Sequence, residues 1–513
     1  MGDIDLGADL SADLSEGIDG SDVAEGKPVA GCFDGKPVIL VRHGGKICAL
    51  AGECTHHGAP LSDGIVIDGE LRCPWHHARF SIDSGEAVGA PAFAPLDLFD
   101  IVEEDGKVRV TGKRKAVDCH QGPDRNPGHV VIIGGGAAGH ACAEMLARSS
   151  VIATVLDADP AAPYDRTACS KAYLNGEGDR GDAALPNLAG MRAHAVVDRI
   201  DPAARVVVLT DGEEVGYDTL VIATGAEPVM PDFDGADGDN VFLLRTIDDA
   251  ELIVSAADKA DRAIVVGASF IGLEAAAALT QRGLGVTVVG ADDVPLADVT
   301  GPEVGAFVRS LHEDKGVEFR LGTKVTAFDG RHATLDDGSS VAGAFLVVGT
   351  GVTPRTDLAD AAKLRLAAKD VGGGIAVDGG FRTSDERIYA IGDVASVPDA
   401  RLGRAIRVEH WVVAQRHGQW LARSLTGAID GDYGDTPFFW TIQFDASLAY
   451  VGHADGIEDR TIDGSIKDGN FAVRFADDAL LTCNRDKQSL RREVQLDHKR
   501  SSLPGSAFTP SQV

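Results

Sequence analysis

The chain has 513 residues, too many for a single hydrophobic core, and this length predicts three or four domains. Its 79 acidic and 48 basic residues give a formal net charge of −31, which disfavours binding to nucleic acid or to an anionic membrane surface. The hydrophobic content of 44% is ordinary for a globular protein, and no apolar run approaches the length of a membrane span.

Residues 13–112 are predicted to form an N-terminal all-β sandwich. Short apolar runs such as residues 38–41 and 107–110 alternate with turns that contain Gly and Asp. This spacing is typical of antiparallel strands joined by tight turns.

Two short boxes within this segment each offer one thiolate and one imidazole. The first contains Cys54 and His56, and the second contains Cys73 and His76 after sixteen intervening residues. Two sulfurs and two nitrogens fit a Rieske [2Fe-2S] centre, in which histidines replace cysteines on one iron. The same ligand types also fit a tetrahedral zinc site, which would be redox-silent.

Residues 113–128 are polar and punctuated by Pro and Gly, and they are predicted to form a linker. From residue 129 onward the pattern changes to apolar strands that alternate with alanine-rich helices. That alternation predicts parallel α/β layers.

A glycine-rich fingerprint with Gly134, Gly136 and Gly139 lies between the first predicted strand and helix of this region. Asp157 ends the next strand, at the distance expected for a ribose ligand. Glycines at such positions let backbone amides approach a pyrophosphate at the N-terminus of the helix. These residues are therefore predicted to bind a dinucleotide.

A second fingerprint contains Gly267, Ser269 and Gly272, again between a strand and a helix. Ser269 replaces the usual middle glycine and is small enough to keep the close approach. Two fingerprints in one chain imply two dinucleotides.

The strand after the second fingerprint ends at Gly290, where an acid usually binds the ribose. Asp292 and Asp293 follow closely and would repel a 2′-phosphate. The sequence therefore favours NADH over NADPH.

Residues 54–85 closely resemble the Rieske ferredoxin-like family. By this resemblance two cysteines bind one iron of a [2Fe-2S] cluster and two histidines bind the other. The cluster ligands are then Cys54, Cys73, His56 and His76. The neighbouring His57 and His77 are interpreted as solvent-facing residues beside the ligands.

The chain from residue 129 onward resembles the ferredoxin reductases of the pyridine-nucleotide-dependent flavoproteins, and its fusion with a Rieske domain resembles their apoptosis-inducing-factor-like branch. The motifs that carry this resemblance span residues 163–166, 170–171, 223–225, 391–393 and 409–411. The resemblance implies two Rossmann-like domains and a small α+β domain. They are an FAD-binding domain (residues 129–245 and 354–435), an NAD(P)-binding domain (residues 246–353) and a C-terminal interface domain (residues 436–513).

In relatives the motif at residues 391–393 holds the flavin ribityl chain, which assigns the first fingerprint to FAD and the second to NAD(P)H. Other cofactor-binding positions are also implied by the resemblance. They are Arg166, Lys171, Thr224, Gly225, Gly351, Gly392, Asp393 and Trp411. Without this resemblance, Lys171 would be interpreted as an exposed helix lysine, and Trp411 as a core tryptophan.

Two of the implied positions are predicted to be catalytic. Lys171 is expected near flavin N5, where a cation stabilises the reduced flavin ring. Glu274 is expected near the nicotinamide pocket, and a buried acid there requires a partner.

The function implied is an NADH-dependent reductase. It would pass electrons from NAD(P)H through FAD to the fused Rieske cluster, and then to an external acceptor such as a ferredoxin, an oxygenase or a P450 system. Relatives dock ferredoxin on the interface domain, and the fused Rieske domain is a candidate for that same surface.

Two alternatives remain open at this point. One is a redox-sensing interaction protein of the apoptosis-inducing-factor type, with slow turnover. The other is a flavin-dependent NADH oxidase or peroxidase, although Cys169 stands alone in the region where disulfide reductases carry a cysteine pair. The N-terminal segment lacks the features of a signal peptide, so a cytoplasmic protein is expected, and a homo-oligomer is compatible with the sequence.

Overall fold

The computed structural model describes residues 12–114, 123–476 and 479–501. An all-β unit precedes two units with central parallel sheets and a final antiparallel unit, so the predicted multidomain fold class is confirmed. Half of the predicted linker, residues 115–122, lies outside the described residues.

The first unit is built from ten antiparallel strands. They are β1 Ile18–Asp19, β2 Val29–Phe33, β3 Lys36–His43, β4 Lys46–Ala51, β5 Ile65–Ile67, β6 Glu70–Arg72, β7 Arg79–Ser81, β8 Ala87–Gly89, β9 Leu98–Glu104 and β10 Lys107–Lys113. Six of them form one sheet in the order β1-β10-β9-β4-β3-β2, and β5 to β8 form a second sheet.

Strand β3 shows why this unit has two layers of core. Val38 and Leu40 pack into one buried cluster, whereas Ile39 and Val41 pack into the other. Successive side chains of a strand point to opposite faces, so an unbroken apolar run fills both cores.

The chain then enters the unit that is built on the first parallel sheet. Its first elements are β11 Val130–Ile133, α1 Ala137–Arg148, β12 Thr154–Leu156, α2 Ala172–Asn175, β13 Met191–Arg192, β14 Val197–Asp201, β15 Val206–Leu209, β16 Glu214–Gly216, β17 Thr219–Ile222 and β18 Ala226–Pro228.

A second parallel sheet follows. Its unit contains β19 Val241–Leu243, α3 Ile247–Ala257, β20 Arg262–Val266, α4 Phe270–Gln281, β21 Gly285–Gly290, α5 Ala297–Thr300, α6 Pro302–Asp314, β22 Glu318–Leu321, β23 Val325–Phe328, β24 His332–Leu335, β25 Ser340–Ala342 and β26 Phe345–Val348. The parallel strand order is β19-β26-β20-β21-β22.

The chain returns to the first sheet by a short antiparallel pair, because β27 Val352–Pro354 pairs with β18. The returning elements are α7 Asp357–Ala361, β28 Ile375–Ala376, β29 Ile388–Ala390, β30 Ala395–Asp399, β31 Arg404–Ile406 and α8 Trp411–Leu425. Strand β29 completes the first parallel sheet, whose order is β13-β12-β11-β17-β29.

The last unit is a five-stranded antiparallel sheet with one long helix. Its elements are β32 Phe438–Gln443, β33 Ala446–Val451, β34 Arg460–Ser465, β35 Asn470–Phe475, β36 Leu480–Cys483 and α9 Asp486–Ser501.

The first unit packs against the rest of the same chain. Arg148, at the end of α1, donates hydrogen bonds to the carbonyl oxygens of Ala87 (2.8 Å) and Phe93 (2.7 Å). The Ala90 N–H donates to Oε1 of Gln419 on α8 at 2.8 Å. These contacts hold the small sheet that carries the two boxes beside the first parallel sheet.

Candidate functional site

Each box lies in a loop closed by a short backbone hydrogen bond. The Cys54 N–H donates to the carbonyl oxygen of Ala59 at 2.9 Å, and the Cys73 N–H donates to the carbonyl oxygen of Ala78 at 2.8 Å. The second loop joins β6 to β7, so strand pairing fixes both of its ends. The two loops therefore present their ligands from rigid backbone.

The two predicted histidine ligands converge. His56 Nδ1 lies 3.2 Å from His76 Nδ1. Two imidazole nitrogens bound to one tetrahedral metal lie about 3.3 Å apart. Burial lowers the pKa of His56 to about 3 and the pKa of His76 well below its usual range, so both rings are neutral and able to bind a metal.

The two predicted cysteine ligands form a second pair. A hydrogen bond with Cys73 lowers the pKa of Cys54, whereas burial raises the pKa of Cys73 well above its usual range. The two thiols are thus close enough to interact directly.

The pairing of ligands bears on the choice between zinc and a cluster. Ligand atoms around one tetrahedral zinc all lie within about 4 Å of one another. Among the described residues, one group of three or more potential metal ligands has all its ligand atoms within 4.8 Å of one another. It consists of His56, His57 and Asp165, and it contains neither cysteine. The cysteine pair and the histidine pair therefore fit the two irons of a [2Fe-2S] cluster better than a single zinc ion.

The prediction that both neighbouring histidines face solvent is wrong for one of them. His57 is exposed, but His77 is fully buried and stacks on Phe438 with 3.8 Å between ring centroids. The docking of the first unit on the C-terminal sheet covers His77, and sequence gives no sign of that contact. Burial also lowers the pKa of His77, so its imidazole is neutral.

A cavity of about 1240 Å³ opens where the two parallel sheets and the C-terminal sheet meet. It exceeds an ordinary small-molecule pocket of about 300–1,000 Å³, so it has room for two cofactors that meet end to end. Most of the predicted site residues outside the metal boxes line it. They are Gly134, Gly136, Asp157, Arg166, Lys171, Thr224, Gly225, Ser269, Glu274, Gly351, Gly392, Asp393 and Trp411.

Three predicted residues, Gly139, Gly267 and Gly272, are not among the residues that line the cavity. A Cβ on Gly139 would overlap the carbonyl oxygen of Gly134, and a Cβ on Gly272 would overlap that of Gly267. The last glycine of each fingerprint therefore allows close packing of helix on strand, which is its expected role in such motifs.

Ser269 has a structural role besides lining the cavity. Its hydroxyl accepts a hydrogen bond from the Gly272 N–H at 3.2 Å and donates one to the Gly349 carbonyl oxygen at 2.6 Å. Ser269 is thus the N-cap of α4.

The two predicted catalytic residues lie in direct contact. Lys171 Nζ donates to Glu274 Oε2 at 2.7 Å. Hydroxyl groups of Ser170 (2.5 Å) and Thr441 (2.6 Å) also donate to the Glu274 carboxylate. Glu274 is buried, and these three donors supply the partners that a buried carboxylate requires.

Two buried nitrogens at the cavity have no hydrogen-bond partner among the described residues. They are Arg245 Nε and Trp411 Nε1. Arg245 also forms an ion pair with Asp393, with 3.0 Å between Nη2 and Oδ2. Unpaired buried donors beside an empty volume fit a ligand that offers acceptor atoms, as the carbonyl groups and phosphates of FAD do.

Trp440 connects the cavity to the metal boxes. It lines the cavity, and its ring centroid lies 4.3 Å from that of His76. The centroid of the Trp440 ring also lies 4.9 Å from that of the His410 ring. One aromatic side chain thus separates a predicted cluster ligand from the cavity.

Cys169 is poorly suited to nucleophilic chemistry. The residue is buried, and burial raises the pKa of its thiol to about 12. A reactive cysteine needs a thiolate near neutral pH. This observation disfavours the peroxidase alternative.

Sequence reasoning did not identify Arg245 or Thr441 as site residues. Arg245 pairs with Asp393, which is 148 positions away, and Thr441 pairs with Glu274, which is 167 positions away. Neither residue lies in a spaced motif, so no local pattern could have indicated these contacts.

Two protein-family models match most of the chain. Residues 128–418 match the model described as pyridine nucleotide-disulphide oxidoreductase, and residues 18–100 match the Rieske [2Fe-2S] domain. No helix within the described ranges has both the length and the apolar character needed to cross a membrane.

Individual proteins resemble the chain over similar spans. It is 31% identical over 467 residues to apoptosis-inducing factor 3 of Homo sapiens, covering 85% of this chain and 76% of that protein. It is 36% identical over 358 residues to rhodocoxin reductase of Rhodococcus erythropolis, covering 67% of this chain and 82% of that protein. The solved covalent putidaredoxin reductase–putidaredoxin complex matches with a TM-score of 0.69 and 28% identity, over 74% of this chain and 96% of that chain.

Proposed function

Because this chain belongs to the pyridine nucleotide-disulphide oxidoreductase family and carries a Rieske [2Fe-2S] domain, we propose that it passes electrons from NAD(P)H through FAD to its own cluster. Membership of these families makes the chain an NAD(P)H-dependent oxidoreductase whose cofactors are FAD, NAD(P)H and a [2Fe-2S] cluster. The predictions of family, enzyme class and cofactors are therefore confirmed.

Residues of the first parallel sheet suit FAD. Gly134 and Gly136 leave room for a pyrophosphate at the start of α1, and Asp157 can accept a hydrogen bond from the ribose. Asp393 also lines the cavity, as do Arg245 and Trp411 with their unpaired donors. Bound there, FAD would accept a hydride, two electrons at once, and release electrons singly to the cluster.

The contact between Trp440 and His76 is the observation that carries this proposal. His76 is a predicted ligand of the cluster, and Trp440 is part of the cavity wall. Both residues belong to the same chain, so no second copy is needed to bring the cluster near the flavin. Electron transfer requires such close approach.

Lys171 and Glu274 are proposed to serve the flavin end of the path. Lys171 supplies a positive charge to the cavity wall, and the Glu274 carboxylate holds the ammonium group in place at 2.7 Å. Ser170 and Thr441 in turn fix the carboxylate. Fixed charges of this kind act strongly in a site that excludes water.

The final acceptor is proposed to be an external one-electron carrier or enzyme. The names of the similar proteins identify reductases of rhodocoxin and putidaredoxin. A ferredoxin, an oxygenase component or a P450 system is the matching class of partner for this chain. Electrons would reach it from the Rieske cluster.

An anaerobic NADH titration of the purified protein tests the proposal. We expect the flavin absorption to bleach and a Rieske-type EPR signal to appear at low temperature. In Cys73→Ser the flavin should still bleach, whereas the EPR signal should be absent, because the cluster loses a ligand. Bleaching without any cluster signal in the wild-type protein, although dithionite produces that signal, would refute the proposal.

A further inference from the structure

A buried carboxylate joins the cluster-bearing loop to two other parts of the chain. Glu493 lies on α9 and has no exposed surface. Its Oε2 accepts a hydrogen bond from His77 Nδ1 at 2.6 Å, and its Oε1 lies 3.3 Å from Arg416 Nη2. His77 follows the predicted ligand His76 directly, and Arg416 lies on α8, so three units meet at one carboxylate.

The surroundings keep this carboxylate ionised. Burial would raise the pKa of Glu493, but Arg416 and His77 outweigh burial and hold that pKa well below its usual range. The other ring nitrogen of His77 lies 3.4 Å from the Ser489 hydroxyl, one turn earlier on α9. These two distances fit an Nδ1–H that donates to Glu493 and an Nε2 that accepts from the Ser489 hydroxyl.

Strand β32 fixes the same loop from a second direction. The His77 ring stacks on Phe438, and the His76 ring lies against Trp440, two residues farther along that strand. The Phe438 and Trp440 rings are themselves stacked, with centroids 5.9 Å apart. A shift of His77 would therefore move His76 relative to Trp440.

Other ion pairs hold the same helix against the Rieske domain. Arg72 Nη1 lies 2.8 Å from Asp497 Oδ2, and Lys487 Nζ lies 2.7 Å from Asp63 Oδ1. The Lys487 pair is exposed, and such pairs contribute little. The Glu493 contacts are fully buried, and a buried charge left without its partner is strongly unfavourable.

We propose that Glu493 is a positioning residue for electron transfer, which acts through His77 to hold His76 against Trp440. This inference rests on the proposed function, since it assumes that electrons reach the cluster from the cavity behind Trp440. It assigns α9 the task of keeping the Rieske domain in its electron-accepting position.

Stopped-flow reduction of the Glu493→Gln protein by NADH tests the proposal, with flavin and cluster followed at separate wavelengths. Glutamine keeps the shape of the side chain and removes its charge. We expect flavin reduction to proceed at the wild-type rate, while cluster reduction slows about tenfold or more, because small displacements of reacting groups have large effects on rate. Dithionite should still give the full wild-type EPR intensity, which shows that the cluster is present.

The matched control is Lys487→Ala, which removes an exposed ion pair between the same helix and the same domain. It should leave both rates within twofold of the wild-type values. A general loss of folding would slow flavin reduction as well, so the separation of the two rates distinguishes positioning from instability.

A second variant covers the case in which Glu493→Gln does not fold. Glu493→Asp keeps the charge and withdraws the carboxylate from His77 by one methylene, and it should slow cluster reduction without slowing flavin reduction. Wild-type cluster reduction in whichever of these variants folds would overturn the inference. Failure of NADH to reduce the cluster in the wild-type protein would instead overturn the proposed function.

Discussion

The pair formed by Lys171 and Glu274 shows how single residues shape the cavity that is proposed to hold the flavin. The carboxylate is buried and receives hydrogen bonds from Lys171, Ser170 and Thr441. Three donors on one carboxylate fix its position and leave the ammonium group little freedom. Lys171 was predicted from a motif, but its partnership with Glu274 became visible only in the structure.

Replacement of the carboxylate tests this pair. In Glu274→Gln the flavin should remain bound, because Glu274 holds Lys171 rather than the dinucleotide fingerprint. The rate of flavin reduction by NADH should fall about tenfold, because an uncompensated ammonium group loses its fixed position. Rapid-mixing absorption measures this rate.

Thr441→Val is the matched control, since it removes one hydrogen bond from the same carboxylate and keeps its charge. The carboxylate keeps its charge and its hydrogen bond with Lys171, so the rate should fall less than in Glu274→Gln. A Glu274→Gln protein as fast as the wild type would exclude a role for the pair in flavin reduction.

At the scale of elements, the two strand-turn-helix units share one arrangement and are proposed to bind different cofactors. In each unit the last glycine of the fingerprint lets a helix lie directly on the preceding turn, at Gly139 for α1 and at Gly272 for α4. Geometry alone makes the two units nearly equivalent. The family resemblance assigns the first to FAD and the second to NAD(P)H.

Replacing each of these glycines with alanine tests which fingerprint binds FAD and which binds NAD(P)H. Gly139→Ala should yield protein without bound FAD, because the added Cβ pushes α1 away from the turn at a cost of about 1–3 kcal/mol. Gly272→Ala should retain FAD and lose its reduction by NADH, while dithionite still bleaches the flavin. The FAD content and the titration with each reductant are the measurements.

Gly216→Ala is a suitable control, because the nearest atom to an added Cβ is a carbonyl oxygen 3.9 Å away. It should leave both FAD content and NADH reduction unchanged. The reverse pattern, with FAD lost from Gly272→Ala and retained in Gly139→Ala, would exchange the two assignments.

At the scale of the whole molecule, the Rieske domain occupies a surface formed by the remainder of its own chain. Residues of α1, α8, α9 and β32 contact the small sheet β5 to β8 and the loops next to it, which carry the predicted cluster ligands. Covalent linkage gives a tethered domain an effective concentration of about a millimolar or more. Electron transfer within one chain should therefore outrun transfer between chains.

Dilution provides the corresponding test. The observed rate constant for cluster reduction, at saturating NADH, should stay constant when the protein is diluted about a hundredfold, because a unimolecular step does not depend on protein concentration. A mixture of two variants extends this test: Cys73→Ser keeps the flavin without the cluster, and Gly139→Ala keeps the cluster without the flavin. At low micromolar concentration, NADH should not reduce the cluster in this mixture. A rate that rises with protein concentration would indicate transfer between chains.

The metal boxes and fingerprints could be read from sequence because their residues lie within a few positions of one another. Local spacing is enough to bring His56 toward Cys54, or Gly139 over Gly134. The interpretation of His77 as solvent-facing was wrong, because its partner Glu493 is 416 positions away. A local pattern carries no signal for a contact at that distance.

The sequence by itself determined the class of chemistry, and it predicted the ligand set, the two dinucleotide motifs and the order of the domains, since each depends on short-range spacing or on the periodicity of apolar residues. Only the tertiary structure decided that His76 meets Trp440, that Lys171 meets Glu274 and that the Rieske domain docks on its own chain. These contacts arise from packing between units far apart in sequence. Packing depends on the shape and charge of whole surfaces, which no single segment specifies.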